Sequence, residues 1–172
     1  MIIHTQRLRL RPWNDMDAQE LYELARDPRI GMLCGWKPYE CIDDAHEALS
    51  TVLAAPDSYA VTLGSTGEIV GSIALRIDTD SPEATVADIG YWIGAPYWGN
   101  GYATEAGHAI IERARELGVQ MIVLKYFDGN DASRRVSEKL GFTWRSREEG
   151  VEYPLIGKRL TVHCTELVLA GR

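Results

Sequence analysis

Alternating apolar and polar positions predict three strands in the first half of the chain. They occupy residues 6–11, 59–63 and 69–77, and turn residues separate the last two, at Gly64-Ser65-Thr66-Gly67. Side chains of a strand point alternately to the two faces of a sheet, so each segment presents one apolar face. The turn between the last two segments predicts that they pair as a hairpin.

Two helices are predicted between the first strand and this hairpin. Apolar residues recur every three or four positions over 18–25 and 45–53, as they do on the buried face of an amphipathic helix. Residues able to cap these helices stand before each of them, at Asn14-Asp15 and at Asp43 or Asp44. Asp27-Pro28 is predicted to end the first helix, and residues 31–41 are predicted to form a loop.

The second half of the chain alternates strands with helices. Its apolar pattern predicts a strand over 85–94, a helix over 101–117, a strand over 119–127, a helix over 131–140 and strands over 142–147 and 160–169. Residues 78–83 are predicted to be an acidic loop. The element order β-α-α-β-β-β-α-β-α-β-β is typical of a mixed α/β domain, and a chain of 172 residues fits one domain.

Charge and hydropathy argue against two classes of partner. The chain carries 25 acidic and 18 basic residues, which gives a net charge of −7. That balance opposes nonspecific binding to nucleic-acid phosphates and to anionic lipid. No apolar stretch approaches the roughly 18 residues of a membrane-spanning helix. We therefore predict neither a nucleic-acid nor a membrane partner.

The cysteines and the N-terminus predict a cytoplasmic protein without a metal. Three cysteines are present, Cys34, Cys41 and Cys164, and no two of them form a C-x-x-C pair. Such a count argues against a disulfide scaffold and for a reducing compartment. Arginines at positions 7, 9 and 11 do not fit a signal peptide. The four histidines are scattered and form no pattern of metal ligands.

One segment carries candidate chemistry. Residues 88–106 read DIGYWIGAPYWGNGYATEA, a predicted strand followed by a loop with Gly99 and Gly101 and the start of a helix. Glycines let backbone N–H groups approach a ligand, and the N-terminus of a helix attracts anions. The pattern does not match a dinucleotide-binding fingerprint, because Thr104 stands in place of its third glycine. A P-loop would require a lysine after the glycines. A simple strand–helix turn is the alternative interpretation.

The same segment resembles the acyl-CoA loop of the GNAT N-acetyltransferases, Gln/Arg-x-x-Gly-x-Gly/Ala. This chain reads Trp98-Gly99-Asn100-Gly101-Tyr102-Ala103. Three segments are similar to the branch that contains the bacterial ribosomal-protein N-terminal (Rim-type) acetyltransferases. They are residues 97–106, the downstream run 130–142 and the opening residues 5–11. The resemblance covers nearly the whole chain. It implies a single N-acetyltransferase domain over 1–172, with its core at 5–170. The implied fold is a mixed α/β one, with a mostly antiparallel, splayed sheet of about seven strands flanked by four helices.

The resemblance implies acetyl-CoA as co-substrate and no metal. In this family the loop amides hold the pyrophosphate, and the pantetheine arm pairs with the preceding strand. The implied cofactor-binding residues are Trp92, Ile93, Trp98, Gly99, Asn100, Gly101, Tyr102, Ala103, Thr104, Asn130 and Ser133. Trp98 replaces the usual Gln or Arg, so a side-chain contact at that position is not implied.

The resemblance also implies catalytic positions. Asp88 stands where many members carry a carboxylate that acts as a base through water, and burial would suit it to that role. The tyrosine acid of many members, five residues before the Phe of Gly-Phe, is replaced here by Ser137. We therefore expect Ser133 or Ser137 to donate a hydrogen bond to the departing thiolate, with Tyr126 as another donor.

The acceptor amine is expected between residues 29–42 and 148–160. The candidate acceptor-binding residues are Trp36, Tyr39, Glu149 and Tyr153. A protein N-terminal α-amino group is favoured, because its pKa of about 7.7–8.0 leaves far more neutral amine than a lysine-like pKa of about 10.4. Aminoglycosides and polyamines are the alternative acceptors, and a noncatalytic acyl-CoA sensor or a nucleotide-binding domain are the alternative functions. A monomer or a homodimer is expected.

Overall fold

Within residues 1–77 and 85–169, which the computed structural model describes, eight strands form one sheet. The strands are β1 (Ile3–His4), β2 (Leu8–Pro12), β3 (Ser58–Leu63), β4 (Ile69–Ile77), β5 (Val86–Ile93), β6 (Met121–Phe127), β7 (Thr143–Tyr153) and β8 (Lys158–Val168). Their order across the sheet is β1-β2-β3-β4-β5-β6-β8-β7. Neighbours pair antiparallel, except that β5 and β6 run parallel. The predicted acidic loop at 78–83 lies outside the described residues.

Five α-helices in the described part of the chain cover the two faces of the sheet. They are α1 (Ala18–Ala25), α2 (Pro28–Cys34), α3 (Ile42–Ser50), α4 (Tyr102–Glu116) and α5 (Asp131–Lys139). The larger core lies between the sheet and α4, where Ile110 and Ala114 pack with residues such as Ile73 and Leu124. A smaller core joins α1 and α3 on the opposite face and includes Trp92 from β5. No helix of the described residues is long and apolar enough to cross a membrane.

The predicted loop at 31–41 is wrong in its first part, because α2 occupies Pro28–Cys34. Asp27-Pro28 does end α1, but it also starts α2: Asp27 Oδ1 accepts the backbone N–H of Arg29 at 2.9 Å. Proline suits the first position of a helix, where its missing N–H needs no partner. The helix ends at Gly35, whose φ of 81° is in the left-handed region that favours glycine.

Other expected boundaries also need correction. The sheet has an eighth strand, β1, because Ile3 and His4 pair with Leu10 and Arg9. A strand of two residues is too short to show an alternating pattern of apolar and polar positions. The last hairpin is longer than predicted, since β7 continues to Tyr153. The N-cap of α3 is Cys41, not Asp43 or Asp44. Asp44 still contributes, since its carboxylate accepts the N–H groups that precede the helix.

The parallel pair β5 and β6 separates part-way along its length. The last aligned residues are Ile89 and Leu124. Beyond them β5 still pairs with β4 as far as Ile93, and β6 still pairs with β8 as far as Phe127. A wedge therefore opens between the two strands at the end that leads into α4. This opening is the splay that the sequence resemblance implies.

Candidate active site

A cavity of about 970 Å³ occupies the wedge between β5 and β6. It brings together most of the residues proposed from the sequence. Those that line it are Trp36, Tyr39, Asp88, Trp92, Ile93, Trp98, Gly99, Gly101, Tyr102, Ala103, Thr104, Asn130, Ser133 and Tyr153. Asn100, Ser137 and Glu149 are not among its lining residues. Residues from both halves of the chain therefore meet where β5 and β6 separate.

The loop before α4 forms an anion cradle at the mouth of the cavity. Gly101 caps the helix with φ 79°, and Gly99 has φ 78°, so both adopt the left-handed backbone that other residues avoid. The first N–H groups of α4, from Tyr102 onward, have no partner within the helix. Asn100 lies outside the lining because its amide donates to the carbonyls of Tyr97 and Trp98, at 3.0 and 3.2 Å. Asn100 thus fastens the loop instead of facing the cavity.

Glu105, in the first turn of α4, ties the helix to the N-terminal strands. Its carboxylate accepts the hydroxyl of Thr5 at 2.6 Å, the N–H of Arg7 at 2.7 Å and the guanidinium of Arg7 at 2.8 Å. Burial opposes its ionisation, but these hydrogen bonds outweigh burial and lower the pKa of Glu105. Sequence reasoning missed this role, because the partners lie about a hundred residues apart.

Trp98 reaches back to the strand that precedes the loop. Its indole Nε1 donates to the carbonyl oxygen of Ile93 at 2.6 Å. The guanidinium of Arg29, on α2, lies 5.5 Å from the centroid of the Trp98 ring. The Trp98 side chain therefore lies between the end of β5 and Arg29 of α2.

Ser133 and Tyr91 form a hydroxyl pair in the cavity. Their oxygens are 3.0 Å apart, and Asn130 holds the start of α5 in place by accepting the N–H of Ser133 at 3.1 Å. Burial raises the pKa of Tyr91 to about 12, although the hydrogen bond with Ser133 opposes this shift. Tyr91 therefore keeps its proton at neutral pH and can donate it in a hydrogen bond. The sequence did not single out Tyr91, since its partner lies 42 residues away.

Burial raises the side-chain pKa of two further residues that line the cavity, Cys34 and Tyr126. Burial raises the pKa of the Cys34 thiol to about 12, so this cysteine is a poor nucleophile. Tyr126 lines the cavity, and its ring stacks on that of His163 with 5.1 Å between centroids. Burial also raises the pKa of Tyr126. Tyr126 thus keeps its proton at neutral pH, and its role as a hydrogen-bond donor to the thiolate stays a prediction.

The structure does not bring Ser137 to the cavity, contrary to expectation. Ser137 is buried beneath β8, with its hydroxyl 3.0 Å from that of Thr165. The hydroxyl of Thr165 already donates to the carbonyl of Leu124 at 2.9 Å, so Ser137 must donate to Thr165. Its proton is therefore committed to the core, and Ser133 is the serine that faces the site.

Asp88 lies in the cavity, but it is paired with a cation. Arg76 Nη2 donates to Asp88 Oδ1 at 2.6 Å, and the Asp88 side chain remains 35% exposed. Gly90 makes this geometry accessible, because a Cβ there would lie 2.5 Å from Arg76 Nη2. Asp88 is thus only partly buried, and burial favours it as a base less than expected from the sequence. Its carboxylate also forms an ion pair with Arg76.

Aromatic rings form the acceptor side of the cavity. Trp36 lies 5.5 Å from Tyr39 and 6.3 Å from Trp92 between ring centroids, and Tyr153 packs on Phe127 at 4.7 Å. These rings include three of the four acceptor-binding residues proposed from the sequence. The fourth, Glu149, lies outside the lining and pairs with Arg147 at 3.3 Å on the exposed part of β7.

Comparison with known proteins decides the family. Residues 7–143 match the family model described as an acetyltransferase (GNAT) domain. This chain belongs to the GNAT acetyltransferase family. The expected mixed α/β GNAT fold and the expected N-acetyltransferase class of enzyme are thereby confirmed.

Individual GNAT relatives span nearly the whole chain. YoaA of Bacillus subtilis, described as an uncharacterized N-acetyltransferase, is 28% identical over 156 residues, which are 87% of this chain and 85% of YoaA. A Vibrio cholerae protein assigned as a ribosomal-protein-serine acetyltransferase superposes with a TM-score of 0.80 at 24% identity, over 98% of both chains. The microcin C7 self-immunity acetyltransferase MccE, whose structure holds acetyl-CoA and AMP, gives 0.82 at 22% identity over 95% of this chain and 93% of that one. At these identities the two structures establish the fold alone.

Proposed function

We propose that this GNAT enzyme transfers the acetyl group of acetyl-CoA to the N-terminal α-amino group of a protein, as an enzyme of the Rim-type branch. One observation carries the choice of acceptor: Asp88 is the single carboxylate among the described residues that line the cavity, and Arg76 already engages it. A weakly placed base suits an amine that is partly neutral at neutral pH, and α-amino groups fit that requirement better than lysine-like amines.

The donor would lie along the wedge. The free N–H groups at the start of α4 face the position of its pyrophosphate, where the helix dipole favours negative charge. Beyond Ile89 the edge of β5 that faces β6 is unpaired among the described residues, and this edge is the place for the pantetheine arm. Gly99 and Gly101 keep the backbone of the cradle free of side chains. These features support the assignment of residues 92–93 and 98–104 to the cofactor, with the Asn100 side chain excepted.

The transfer needs no covalent enzyme intermediate. The neutral amine attacks the thioester carbon, the C–S bond breaks, and CoA leaves as a thiolate. The proton lost by the amine passes through water to Asp88, and the Tyr91–Ser133 hydroxyl pair donates a hydrogen bond to the thiolate. Because the thiol pKa is about 8.5, this leaving group needs only modest help at neutral pH. Holding both reactants in one cavity supplies much of the acceleration.

Acetyl transfer to defined peptides tests this proposal. We would incubate the purified chain with acetyl-CoA and a peptide that has a free N-terminus and one internal lysine, then locate the acetyl group by mass spectrometry. Acetylation of the α-amino group is expected, and the same peptide with a blocked N-terminus should release no CoA. Acetylation of the lysine, or of polyamines and aminoglycosides alone, would overturn the choice of acceptor. Donor binding without turnover of any amine would instead identify an acyl-CoA sensor.

Two properties stay predictions of the sequence. A cytoplasmic location is consistent with three free cysteines in the described residues. A monomeric or dimeric state would be measured by light scattering of the purified chain.

A further inference from the structure

The acceptor side of the cavity has a floor of small residues in register across three strands. Ser58 on β3 aligns with Ala74 on β4, and Ala74 aligns with Gly90 on β5. Ser58 is 5% exposed, and its hydroxyl has no hydrogen-bond partner among the described residues. A buried hydroxyl without a partner is unfavourable. Ser58 lines the cavity, but its hydroxyl oxygen is itself buried, so these small residues provide space for the acceptor and not a polar contact.

The rim of the cavity carries exposed apolar side chains from three separate segments. They are Leu33 on α2, Val52 after α3 and Leu155 between β7 and β8, exposed by 42%, 70% and 70%. The Trp36 and Trp92 rings lie on the same side of the cavity. Exposed apolar side chains grouped around a cavity mark a binding surface for an apolar group.

The charge of the cavity is opposite to the charge of the chain. The charged residues that line it, among those described, are Arg76, Asp88, Lys125, Arg135 and Lys139. Arg135 and Lys139 belong to α5, beside the proposed donor site. On the acceptor side Asp88 is paired with Arg76, and Lys125 forms no ion pair with any described carboxylate. The net charge of −7 is therefore carried elsewhere.

The sheet places Lys125 near the Arg76–Asp88 pair. Asp88 aligns with Val123 on the neighbouring strand β6. Lys125 follows Val123 by two positions and so lies on the same face, about 7 Å further along the strand. The acceptor side thus offers one cation free to pair beside an apolar rim, and no free carboxylate among its described lining residues.

We infer that the acceptor is a monoamine that carries an apolar side group and an acidic group, and that polyamines and aminoglycosides are poor substrates. The inference rests on the proposed transfer to an amine and adds the chemistry of the acceptor. In a peptide this chemistry is an apolar first residue followed by an acidic one. In a small molecule it is an apolar α-amino acid.

A panel of matched acceptors tests the inference. Four peptides would begin Phe-Asp, Phe-Lys, Ser-Asp or Ser-Lys and share the remaining sequence; free phenylalanine, phenethylamine and spermidine complete the panel. Release of CoA gives kcat/KM for each. We expect Phe-Asp to exceed Ser-Lys by about tenfold or more, a factor in the range that apolar pockets achieve. The ratio of free phenylalanine to phenethylamine reports the acidic group in a small acceptor. Spermidine or Ser-Lys as the best substrate would overturn the inference.

Single substitutions test which residues produce the expected preference among acceptors. Lys125→Glu should reverse the preference between Asp and Lys at the second position. Arg115→Glu makes the same change of charge on α4, outside the cavity lining, and should leave that ratio unchanged. Unchanged ratios in Lys125→Glu would refute the role of that cation.

The outcomes separate this inference from the proposed function. Turnover of amines without the stated preferences would overturn the inference alone. Failure to release CoA with any amine would overturn both.

Discussion

Replacing Gly101 by alanine separates the binding role of the loop from its contribution to stability. Gly101 has φ 79°, and a Cβ built on it meets one atom within 4 Å, Arg7 Nη2 at 3.7 Å. The substitution therefore introduces backbone strain and no severe clash. Gly118, just after the C-terminus of α4, has the same φ of 79° with nothing within 4 Å of its Cβ. Gly118→Ala is thus a matched control for the strain.

The expected magnitudes follow from that geometry. A residue with a Cβ in left-handed backbone costs about 1–2 kcal/mol, so both variants should lose about 1 kcal/mol of stability. For a domain of this size, that loss lowers the melting temperature by about 2–4 °C. Gly101 adjoins the amides proposed to hold the pyrophosphate, and a hydrogen bond to a charged group contributes about 1.5–3 kcal/mol. Loss of one such bond would raise the Kd of acetyl-CoA about tenfold or more in Gly101→Ala.

Calorimetry and thermal unfolding together read out both effects. We expect the two variants to unfold at similar temperatures, while Gly101→Ala alone binds acetyl-CoA more weakly. Equal Kd values in Gly101→Ala, Gly118→Ala and the unmodified chain would refute the assignment of the loop. An equal rise of Kd in both variants would show that strain in α4, and not the cradle, controls binding.

Three further predictions concern catalysis and stability. Asp88→Asn should lower kcat by about 10²-fold, the low end for general-base catalysis because Arg76 already engages the carboxylate, with the Kd of acetyl-CoA unchanged; an unchanged kcat excludes Asp88 as the base. Ser133→Ala should lower kcat, whereas Ser137→Ala should keep kcat and lose about 1 kcal/mol of stability; a kcat loss confined to Ser137→Ala contradicts the structure. Burial opposes ionisation of Asp57, but the hydrogen bond from Arg113 helps to lower its pKa below the usual value. This pair stabilises the fold above the ordinary Asp pKa of about 3.9, and its contribution is lost as pH falls through the folded-state pKa. Urea unfolding should therefore show a deficit in Asp57→Asn that shrinks between about pH 6 and about pH 3, and a constant deficit would contradict this sign.

The hydrophobic period located most elements because each of them buries one face. It could not resolve α2, since Asp27-Pro28 both ends one helix and begins the next. Nor could it show β1, whose two residues pair with Leu10 and Arg9 only in the folded sheet. The local pattern of apolar positions cannot predict an element boundary that depends on pairing with another strand.

Some residues of the candidate site could likewise be predicted from the local sequence, whereas others required the folded structure. Glycines at 99 and 101 could be read locally, because a left-handed backbone before a helix requires them. Ser133 and Ser137 lie one helical turn apart, so sequence alone could not tell which of them faces the cavity. Their separation depends on long-range contacts, with Tyr91 for the first and Thr165 for the second. Asp88 was found as a candidate, but its pairing with Arg76 required the register of β4 and β5.

Thermal unfolding with and without acetyl-CoA tests the central claim most directly, with ATP as the control anion. A ligand at 100 times its Kd adds about 2.7 kcal/mol of stability, which corresponds to roughly 5–10 °C for this chain. The account predicts that acetyl-CoA raises the melting temperature by about this amount and that ATP raises it far less. No shift with millimolar acetyl-CoA, or an equal shift with ATP, would contradict a wedge between β5 and β6 built for an acyl-CoA.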